Sequence, residues 1–326
     1  MSIHVLVSGG AGYIGSQTCK ILAENGFIPI TVDNLSTGHR EAVKWGPLIE
    51  ADISDKEKIK TVVRTFDIKA AIHFAAFSLV GESVRDPGKY FDNNIASANR
   101  FAEALVEAGV KAFVFSSTAA VYGNPESELI SETHPTRPIN PYGESKLGFE
   151  KVLRWTSEAH DFRYVALRYF NAAGADFDGE VGESHMCETH LIPLVCQAAL
   201  GTGKALSVFG NDYDTRDGTA IRDYIHVVDL AAAHVEALKY LLAGGQSDTF
   251  NVGTGHGQTV MEIIEACQAV TGHSVPYSLQ PRRQGDPQTL VADVSKIQAV
   301  FDWRPKHSDV QSIVATAFRW QKERPY

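Results

Sequence analysis

The sequence contains few cysteines and no long run of apolar residues. Its four cysteines, Cys19, Cys187, Cys196 and Cys267, are scattered and form no C-x-x-C pair, so neither a disulfide framework nor a zinc ribbon is predicted. Reduced cysteines in a cytoplasmic protein are the simplest interpretation. No apolar run approaches the roughly 20 residues that span a bilayer, and the N-terminus lacks a signal-peptide pattern. We therefore expect a cytoplasmic protein without a membrane partner.

Positive charge is also scarce. The 30 lysines and arginines stand against 39 aspartates and glutamates, which gives a net charge of −9. This balance argues against nucleic acid or an anionic membrane surface as a partner, and a substrate phosphate would have to be held by a few local cations. The 12 histidines show no His/Cys spacing of the usual metal-binding kind, so no metal site is expected.

What is present is an ordinary globular composition, with 44% hydrophobic and 21% charged residues in a chain of 326 residues. This length suggests about two domains. Short apolar runs alternate with helical patterns along the first half of the chain, and the runs cover residues 3–7, 28–32, 48–51, 70–74, 112–117 and 164–169. The helical patterns include residues 55–65, 92–108 and 145–159. This alternation predicts a doubly wound parallel α/β sheet.

The alternation breaks after Asn171, where the sequence becomes richer in Gly, Asp, His and Thr. We predict a dinucleotide-binding domain from residues 1–172 plus 222–250. A smaller mixed α/β domain, which would bind the substrate, is predicted from residues 173–221 plus 251–326. Its helices are expected near residues 191–200, 259–271 and 310–322. Since ligands of doubly wound sheets lie beyond the carboxyl ends of the strands, the strand tips should share one crevice.

A glycine-rich turn follows the first β-branched run. Gly9 allows the tight turn, Gly12 lets the backbone approach a pyrophosphate, and Gly15 lets the following helix pack on the strand. The helix N-terminus then faces the anion with free N–H groups. Asp33 ends the second run, where a carboxylate binds both ribose hydroxyls and repels a 2′-phosphate, so NAD is favoured over NADP. An ordinary turn followed by a surface aspartate is the alternative.

Tyr142 and Lys146 lie four residues apart and would share one helix face. A nearby ammonium favours the phenolate and lowers the pKa of a tyrosine, which makes Tyr142 a candidate general base. Thr118, at the end of the fifth run, could bind the reacting oxygen and pass its proton to Tyr142. The alternatives are a solvated helix start for the pair and a strand end of small residues for Thr118.

Several longer motifs resemble the extended short-chain dehydrogenase/reductase family, and within it the 4-epimerases of UDP-sugars. The motifs cover residues 9–15, 115–123, 142–146, 167–171 and 222–227, and the likeness extends to about residue 305. The resemblance implies an NAD-dependent isomerase that oxidises C4 of a UDP-glucose or UDP-galactose to a ketone, lets the 4-keto sugar turn over, and returns the hydride to the other face. It also implies a homodimer paired through the helices near residues 92–108 and 145–159.

The resemblance assigns roles to single residues. The catalytic residues are Tyr142, Lys146 and Thr118. Besides these three, the cofactor contacts fall on Gly9, Gly12, Tyr13, Ile14, Gly15, Asp33, Asn34, Leu35, Ser36, Thr37, Gly38, Asp52, Ile53, Phe74, Ala75, Ala76, Asn93 and Phe170. Besides Thr118 and Tyr142, the substrate contacts fall on Asn171, His190, Leu191, Ser207, Val208, Phe209, Arg222, Arg283, Asp286 and Leu290. Forked arginine donors suit a pyrophosphate, and Phe209 could cover the uracil.

Three positions depart from patterns within the family. Ser78 stands where some members carry a lysine that contacts the cofactor, and His190 stands where asparagine is frequent. Leu290 occupies the place where a bulky tyrosine excludes N-acetyl sugars and a smaller residue admits them. Epimerisation of UDP-N-acetylhexosamines or UDP-pentoses therefore stays open as an alternative.

Three other functions compete with epimerisation. A nucleotide-sugar dehydratase is disfavoured because Ala119 and Ala120, not an acidic pair, follow Thr118. A dehydrogenase that releases NADH is opposed only by the resemblance, since cradling a phosphate does not set a dissociation rate. A non-catalytic nucleotide-binding regulator is disfavoured because Tyr142, Lys146 and Thr118 are all intact.

Overall fold

The computed structural model describes residues 2–283, 286–323 and 326. Its strands are β1 (His4–Ser8), β2 (Ile28–Asp33), β3 (Leu48–Glu50), β4 (Ala70–His73), β5 (Ala112–Thr118), β6 (Arg163–Tyr169), β7 (Asn171–Ala173), β8 (Leu206–Phe209), β9 (Ile221–His226), β10 (Asp248–Val252), β11 (Gly257–Thr259), β12 (Tyr277–Gln280) and β13 (Thr289–Leu290). Its α-helices are α1 (Tyr13–Glu24), α2 (Lys56–Phe66), α3 (Val80–Arg85), α4 (Pro87–Phe91), α5 (Ala98–Glu107), α6 (Pro141–Ala159), α7 (Leu191–Leu200), α8 (Val227–Leu242), α9 (Val260–Thr271), α10 (Ser295–Val300) and α11 (Val310–Glu323).

Seven parallel strands form the largest sheet, in the order β10-β6-β5-β4-β1-β2-β3. All seven residues of β5 are buried, as expected for a strand covered by helices on both faces. Helices α1 and α8 pack on one face around Leu22 and Leu230, and α2, α5 and α6 pack on the other around Phe101 and Phe149. The predicted doubly wound Rossmann sheet is confirmed.

The sheet has its switch point between β1 and β4. The chain leaves β1 towards β2 and β3 on one side, and it returns to β4, β5 and β6 on the other. The connections on the two sides therefore diverge and open a crevice at the carboxyl ends of the strands, where doubly wound folds bind their ligands.

Two smaller sheets are formed by strands that follow β6 in the sequence. Strand β9 pairs with β7, β11 and β13, and β8 pairs with β12. Helices α7, α9 and α11 share a core that includes Ile192, Ile263 and Ile313. The two-domain division stays a prediction. Strand β9 belongs to the four-stranded small sheet, although most of its residues were assigned to the predicted dinucleotide-binding domain.

Two helices differ from their predicted extents. Helix α6 begins at Pro141 rather than at Ser145, because the Asn140 side chain caps it by accepting a 2.9 Å hydrogen bond from the Gly143 N–H. The predicted helix at residues 92–108 starts as a π-helical stretch, Asp92–Ser97. There Asn94 accepts the Phe77 N–H and donates to Ser145 Oγ, both at 3.0 Å, and such bonds hold an irregular helical turn in place.

Candidate active site

A cavity of about 1180 Å³ lies over the carboxyl ends of β1, β2, β4 and β5. This volume exceeds the roughly 300–1,000 Å³ typical of a pocket for one small ligand. Every residue that the sequence proposed for cofactor or substrate lines it, except Leu35. Leu35 has a left-handed φ of 57°, and its N–H donates to Asp33 Oδ1 at 2.8 Å. One cavity therefore brings together positions that are separated by most of the chain.

The glycine turn fits a pyrophosphate. A Cβ on Gly9 would lie 2.5 Å from the Ala75 nitrogen, and one on Gly15 would lie less than 3.0 Å from the Gly9 carbonyl oxygen. No side chain at these positions is compatible with this packing of β1 against β4 and α1. Gly12 precedes α1 with no side-chain cap on the helix, so the first N–H groups of α1 stay available to an anion.

Asp33 lies at the tip of β2 and is almost fully buried. Its carboxylate accepts the Ala11 N–H at 3.0 Å besides the Leu35 N–H. Burial raises the pKa of Asp33, and the two backbone hydrogen bonds oppose that rise. The fixed carboxylate suits ribose hydroxyls and disfavours a 2′-phosphate. The residues present therefore fit NAD.

The start of α6 touches the end of β5. A Cβ on Gly143 would lie 2.6 Å from the Ala120 carbonyl oxygen, so the glycine permits this close approach. It brings Tyr142 near Thr118, whose hydroxyl lowers the pKa of the phenol. Thr118 Oγ1 also accepts the Ala120 N–H at 3.1 Å, which leaves the threonine proton free for donation to another oxygen. The close approach of the two backbone segments therefore places Tyr142 and Thr118 near each other.

Burial dominates the electrostatics of the predicted catalytic residues. Burial, with a smaller effect from Tyr169, raises the pKa of Tyr142, and the hydrogen bond to Thr118 opposes the rise. Burial also lowers the pKa of Lys146 to about 7, against the attraction of Glu150. The Lys146 ammonium donates to the Ser116 carbonyl at 2.9 Å and lies 4.9 Å from the Phe115 ring centroid. These opposed shifts describe the protein alone, without the positive charge that a nicotinamide ring would add.

A buried network behind Lys146 was not predicted from the sequence. Glu150, one turn further along α6, receives the Arg168 guanidinium at 2.6 and 3.0 Å and the hydroxyl of Ser117. Arg168 also donates to Tyr122 Oη at 3.0 Å. This buried network ties α6 to β5 and β6. The i,i+4 spacing of Lys146 and Glu150 was the available signal.

The opposite wall of the cavity carries the predicted substrate residues. Arg222 pairs with Asp286, and the Arg283 guanidinium lies 3.8 Å from the Phe209 ring centroid. Leu290 is half-buried beside a cluster that contains Phe170 and Leu147. This wall therefore offers two guanidinium groups and one aromatic face, which are the groups that a nucleoside diphosphate requires.

A cluster of two glutamates and two histidines borders the cavity. His190 Nδ1 lies 2.8 Å from Glu183 and 2.9 Å from Glu188, and His185 Nδ1 lies 3.3 Å from each. Burial opposes, but these hydrogen bonds raise, the pKa of His185 to about 9 and that of His190 to about 10. Of these four residues, only His190 was predicted from the sequence, although the E-x-H-x-x-E-x-H spacing is visible there.

In the part of the chain that the structure describes, no helix combines the length and apolarity needed to cross a membrane. The parallel sheet, the glycine turn at its switch point and the paired tyrosine and lysine define an α/β enzyme of the dinucleotide-binding class. The sequence matches the NAD dependent epimerase/dehydratase family over residues 5–253. The chain belongs to this family.

Individual relatives cover nearly the whole chain. The UDP-glucose 4-epimerase of Halalkalibacterium halodurans is 49% identical, over 99% of this chain and 96% of the relative. A crystal structure of the Brucella ovis UDP-glucose 4-epimerase in complex with NAD has a TM-score of 0.96 and 46% identity, with 98% of each chain covered. The structure of the Campylobacter jejuni UDP-Glc/GlcNAc 4-epimerase has a TM-score of 0.87 and 43% identity, with 99% of this chain and 100% of that chain covered.

Proposed function

We propose that the protein is an NAD-dependent isomerase that interconverts UDP-glucose and UDP-galactose by inverting C4 of the hexose. The observation that carries the proposal is one cavity that is lined by Tyr142, Lys146 and Thr118 and whose opposite wall holds Arg222 and Arg283. NAD, when bound, accepts a hydride from the sugar and returns it. This function agrees with the relatives reported above, and the predicted cofactor, enzyme class and reaction all follow from it.

Tyr142 moves the proton of the sugar hydroxyl. It takes this proton in the oxidising step and gives it back after reduction, so no proton is gained or lost over the cycle. Thr118, whose oxygen is held by the Ala120 N–H, binds the sugar oxygen and passes its own proton to Tyr142 as it takes the proton of the sugar hydroxyl. Lys146 binds the nicotinamide ribose and supplies positive charge beside the phenol.

The residues after Thr118 limit the reaction to epimerisation. Ala119 and Ala120 stand where elimination of the C6 hydroxyl would need an acid, and both line the cavity. A 4-keto intermediate would meet no acid at these two positions. Return of the hydride to the opposite face of the sugar is then the remaining course, provided that the sugar can turn in the cavity.

The cavity wall with Arg222 and Arg283 binds the nucleotide. The two guanidiniums hold the pyrophosphate in a protein that is otherwise acidic, and Asp286 accepts from a hydroxyl of the ligand. Phe209 covers the uracil. Since Arg283 lies on the Phe209 ring in the structure, the base must insert beside this guanidinium or displace it.

UDP-N-acetylglucosamine is the second candidate substrate, and Leu290 is the observation that favours it. Leucine lacks the volume of a tyrosine at this position of the cavity wall, and the Campylobacter relative is named for both sugars. A UDP-pentose, which lacks C6, would require no different group at C4.

Three finer points complete the proposal. A homodimer would form through the helices near residues 92–108 and 145–159, where the exposed side chain of Trp155 supports an interface. Light scattering of the wild type and of W155E would test it, since the charge should yield monomers. Four free cysteines support a cytoplasmic location. Interconversion of UDP-hexoses would place the enzyme in galactose metabolism.

The decisive experiment uses the purified protein without added NAD. Denaturation should release NAD, and the native batch should convert UDP-galactose to UDP-glucose. UDP-N-acetylglucosamine and UDP-xylose are tested in parallel. Turnover that strictly requires added NAD, with net accumulation of NADH, would overturn the proposal in favour of a dehydrogenase.

A further inference from the structure

The cluster of Glu183, His185, Glu188 and His190 lies on one eight-residue segment. Each residue offers one ligand atom, and these atoms all lie within 4.8 Å of one another. Both histidines direct Nδ1 into the cluster. Imidazole nitrogen and carboxylate oxygen are ordinary ligands of zinc and related divalent ions.

The distances suit a single ion. Zinc bonds of about 2.0–2.2 Å place the ligand atoms of a tetrahedron about 3.4 Å apart. The histidine nitrogens lie 2.8 and 3.3 Å from one oxygen of Glu183, and 2.9 and 3.3 Å from the two different oxygens of Glu188. An ion between these groups therefore requires an outward movement of the imidazoles.

The charge of the cluster also requires compensation. The side chains of Glu183 and Glu188 are only 6% and 7% exposed, and both carboxylates approach the same two imidazoles. Two buried carboxylates that approach the same imidazoles repel each other unless cations lie between them. One divalent ion with two neutral imidazoles neutralises them as completely as two imidazolium protons would.

A second acidic cluster in the chain provides a contrast. Asp176, Asp178 and Glu180 also lie close together, but the Lys20 ammonium sits among them at 2.6–2.9 Å. That cluster already contains its cation, and an ammonium occupies the place of a metal. At the first cluster, the two histidines are the cationic groups that the described residues place against both carboxylates.

We propose that Glu183, His185, Glu188 and His190 form a binding site for one divalent metal ion of the zinc type. The site lies in a segment that joins the two ligand regions of the cavity. Ser184 lies between two of the ligands. Its carbonyl contacts, at 3.0 Å, His39, which follows the predicted cofactor residues 34–38. His190 immediately precedes α7, whose first residue lines the cavity. A bound ion would hold residues 183–190 in place between residues 34–39 and the wall of the cavity that is proposed to bind the substrate.

The test measures metal binding rather than activity. The purified holoenzyme is treated with a chelator, dialysed, and titrated with Zn²⁺ and with Co²⁺. We expect one equivalent of zinc per chain by elemental analysis and visible Co²⁺ absorption bands of a tetrahedral site. Zn²⁺ should also raise the melting temperature, because an ion that binds only the folded state stabilises it.

Matched variants assign the ligands. Glu188→Gln and, separately, His185→Asn should weaken zinc binding by roughly tenfold or more and abolish the cobalt bands. Asp178→Asn, in the cluster that contains Lys20, should bind zinc like the wild type. His185 is partly exposed, so its replacement keeps the test valid if Glu188→Gln fails to fold.

Two results would overturn the proposal. One is a wild type that takes up no zinc and shows no shift in melting temperature at equimolar metal. The other is equal zinc uptake by the wild type and by His185→Asn. Either result would leave the cluster as a network of protonated histidines and carboxylates, and neither would affect the proposed epimerase activity, which is assayed separately.

Discussion

The two walls of the cavity are built in different ways. The wall beside the large sheet consists of strand ends, the glycine turn and the buried residues Tyr142 and Lys146. The opposite wall consists of side chains from β8, β9, β13 and the segment before β13, and it includes the partly exposed ion pair of Arg222 with Asp286. Backbone geometry fixes the first wall, and partly exposed charged side chains form part of the second.

This difference separates chemistry from recognition. Rigid groups suit catalysis, where small displacements are costly, and adaptable side chains suit a sugar that has to turn over between two hydride transfers. Substitutions in the first wall should therefore abolish turnover or cofactor retention. Substitutions in the second should alter substrate affinity and choice while NAD stays bound.

Removal of the Tyr142 hydroxyl should have the largest effect. Tyr142→Phe should lower turnover by roughly 10²–10⁴-fold, as expected for the loss of a general base, while bound NAD and UDP affinity stay unchanged. Steady-state kinetics and the nucleotide content of the denatured protein measure both. Tyr164→Phe removes a buried phenol on β6 and should retain full activity. A Tyr142→Phe enzyme of near-normal turnover would contradict the assigned role.

A methyl group in the glycine turn should come next. Gly15→Ala places a Cβ against the Gly9 carbonyl oxygen, so the turn must shift, at a cost of at least the roughly 1–3 kcal/mol typical of overpacking. We expect loss of bound NAD and a melting temperature several degrees lower. Gly88→Ala, where a Cβ would make only ordinary contact at 3.8 Å, is the control. NAD retained in Gly15→Ala would show that the turn tolerates rearrangement.

The second wall should respond in KM. Arg283→Ala removes a forked donor from the proposed pyrophosphate site, and charge-assisted hydrogen bonds contribute about 1.5–3 kcal/mol. KM for UDP-galactose should rise roughly 10–100-fold with kcat little changed. The neighbouring Arg282 pairs with Asp212 and lies 4.1 Å from the Tyr213 ring centroid. Arg282→Ala should therefore leave KM near the wild-type value, and equal effects of the two replacements would remove Arg283 from the site.

The two walls also differ in how far the sequence could predict them. Gly9, Gly12, Gly15 and Asp33 lie within one βαβ unit, so their spacing alone indicates a dinucleotide site. Arg222 and Arg283 come from distant parts of the chain, and no local period relates them. Only resemblance to a family selected them, because their proximity depends on the pairing of β9 with β13.

Other features were beyond sequence patterns for physical reasons. The contact of Gly143 with Ala120 is a tertiary detail, whereas Asn140 and Pro141 are a cap residue and a first-turn residue that could have located the start of α6. Ammonium charge was expected to lower the pKa of Tyr142, whereas burial dominates in the protein alone. Burial of a particular side chain follows from packing, which composition does not specify.

Leu290 tests the adaptability of the second wall. Leu290→Tyr adds bulk beside the sugar and should lower kcat/KM for UDP-N-acetylglucosamine by roughly 10–200-fold, the range of small steric changes in a pocket. Activity towards UDP-galactose should change far less, since its C2 hydroxyl needs less room. Parallel assays with both sugars measure the ratio. An unchanged ratio would mean that Leu290 does not contact the C2 substituent.

Replacement of Lys146, in the first wall, should have the smallest effect, and the effect is on stability. Burial lowers the pKa of its ammonium to about 7 from an ordinary value near 10.5, so the unfolded chain binds more protons than the folded one between these values. The folded state therefore carries its full penalty below about pH 7 and loses it progressively as the pH rises towards 10.5. Lys146→Met removes this term, so in NAD-free protein it should raise the melting temperature by a few degrees at pH 6.5 and by less at pH 8.5. If the difference in melting temperature between wild type and Lys146→Met is constant over this pH range, Lys146 is solvated rather than shielded from water by the first wall.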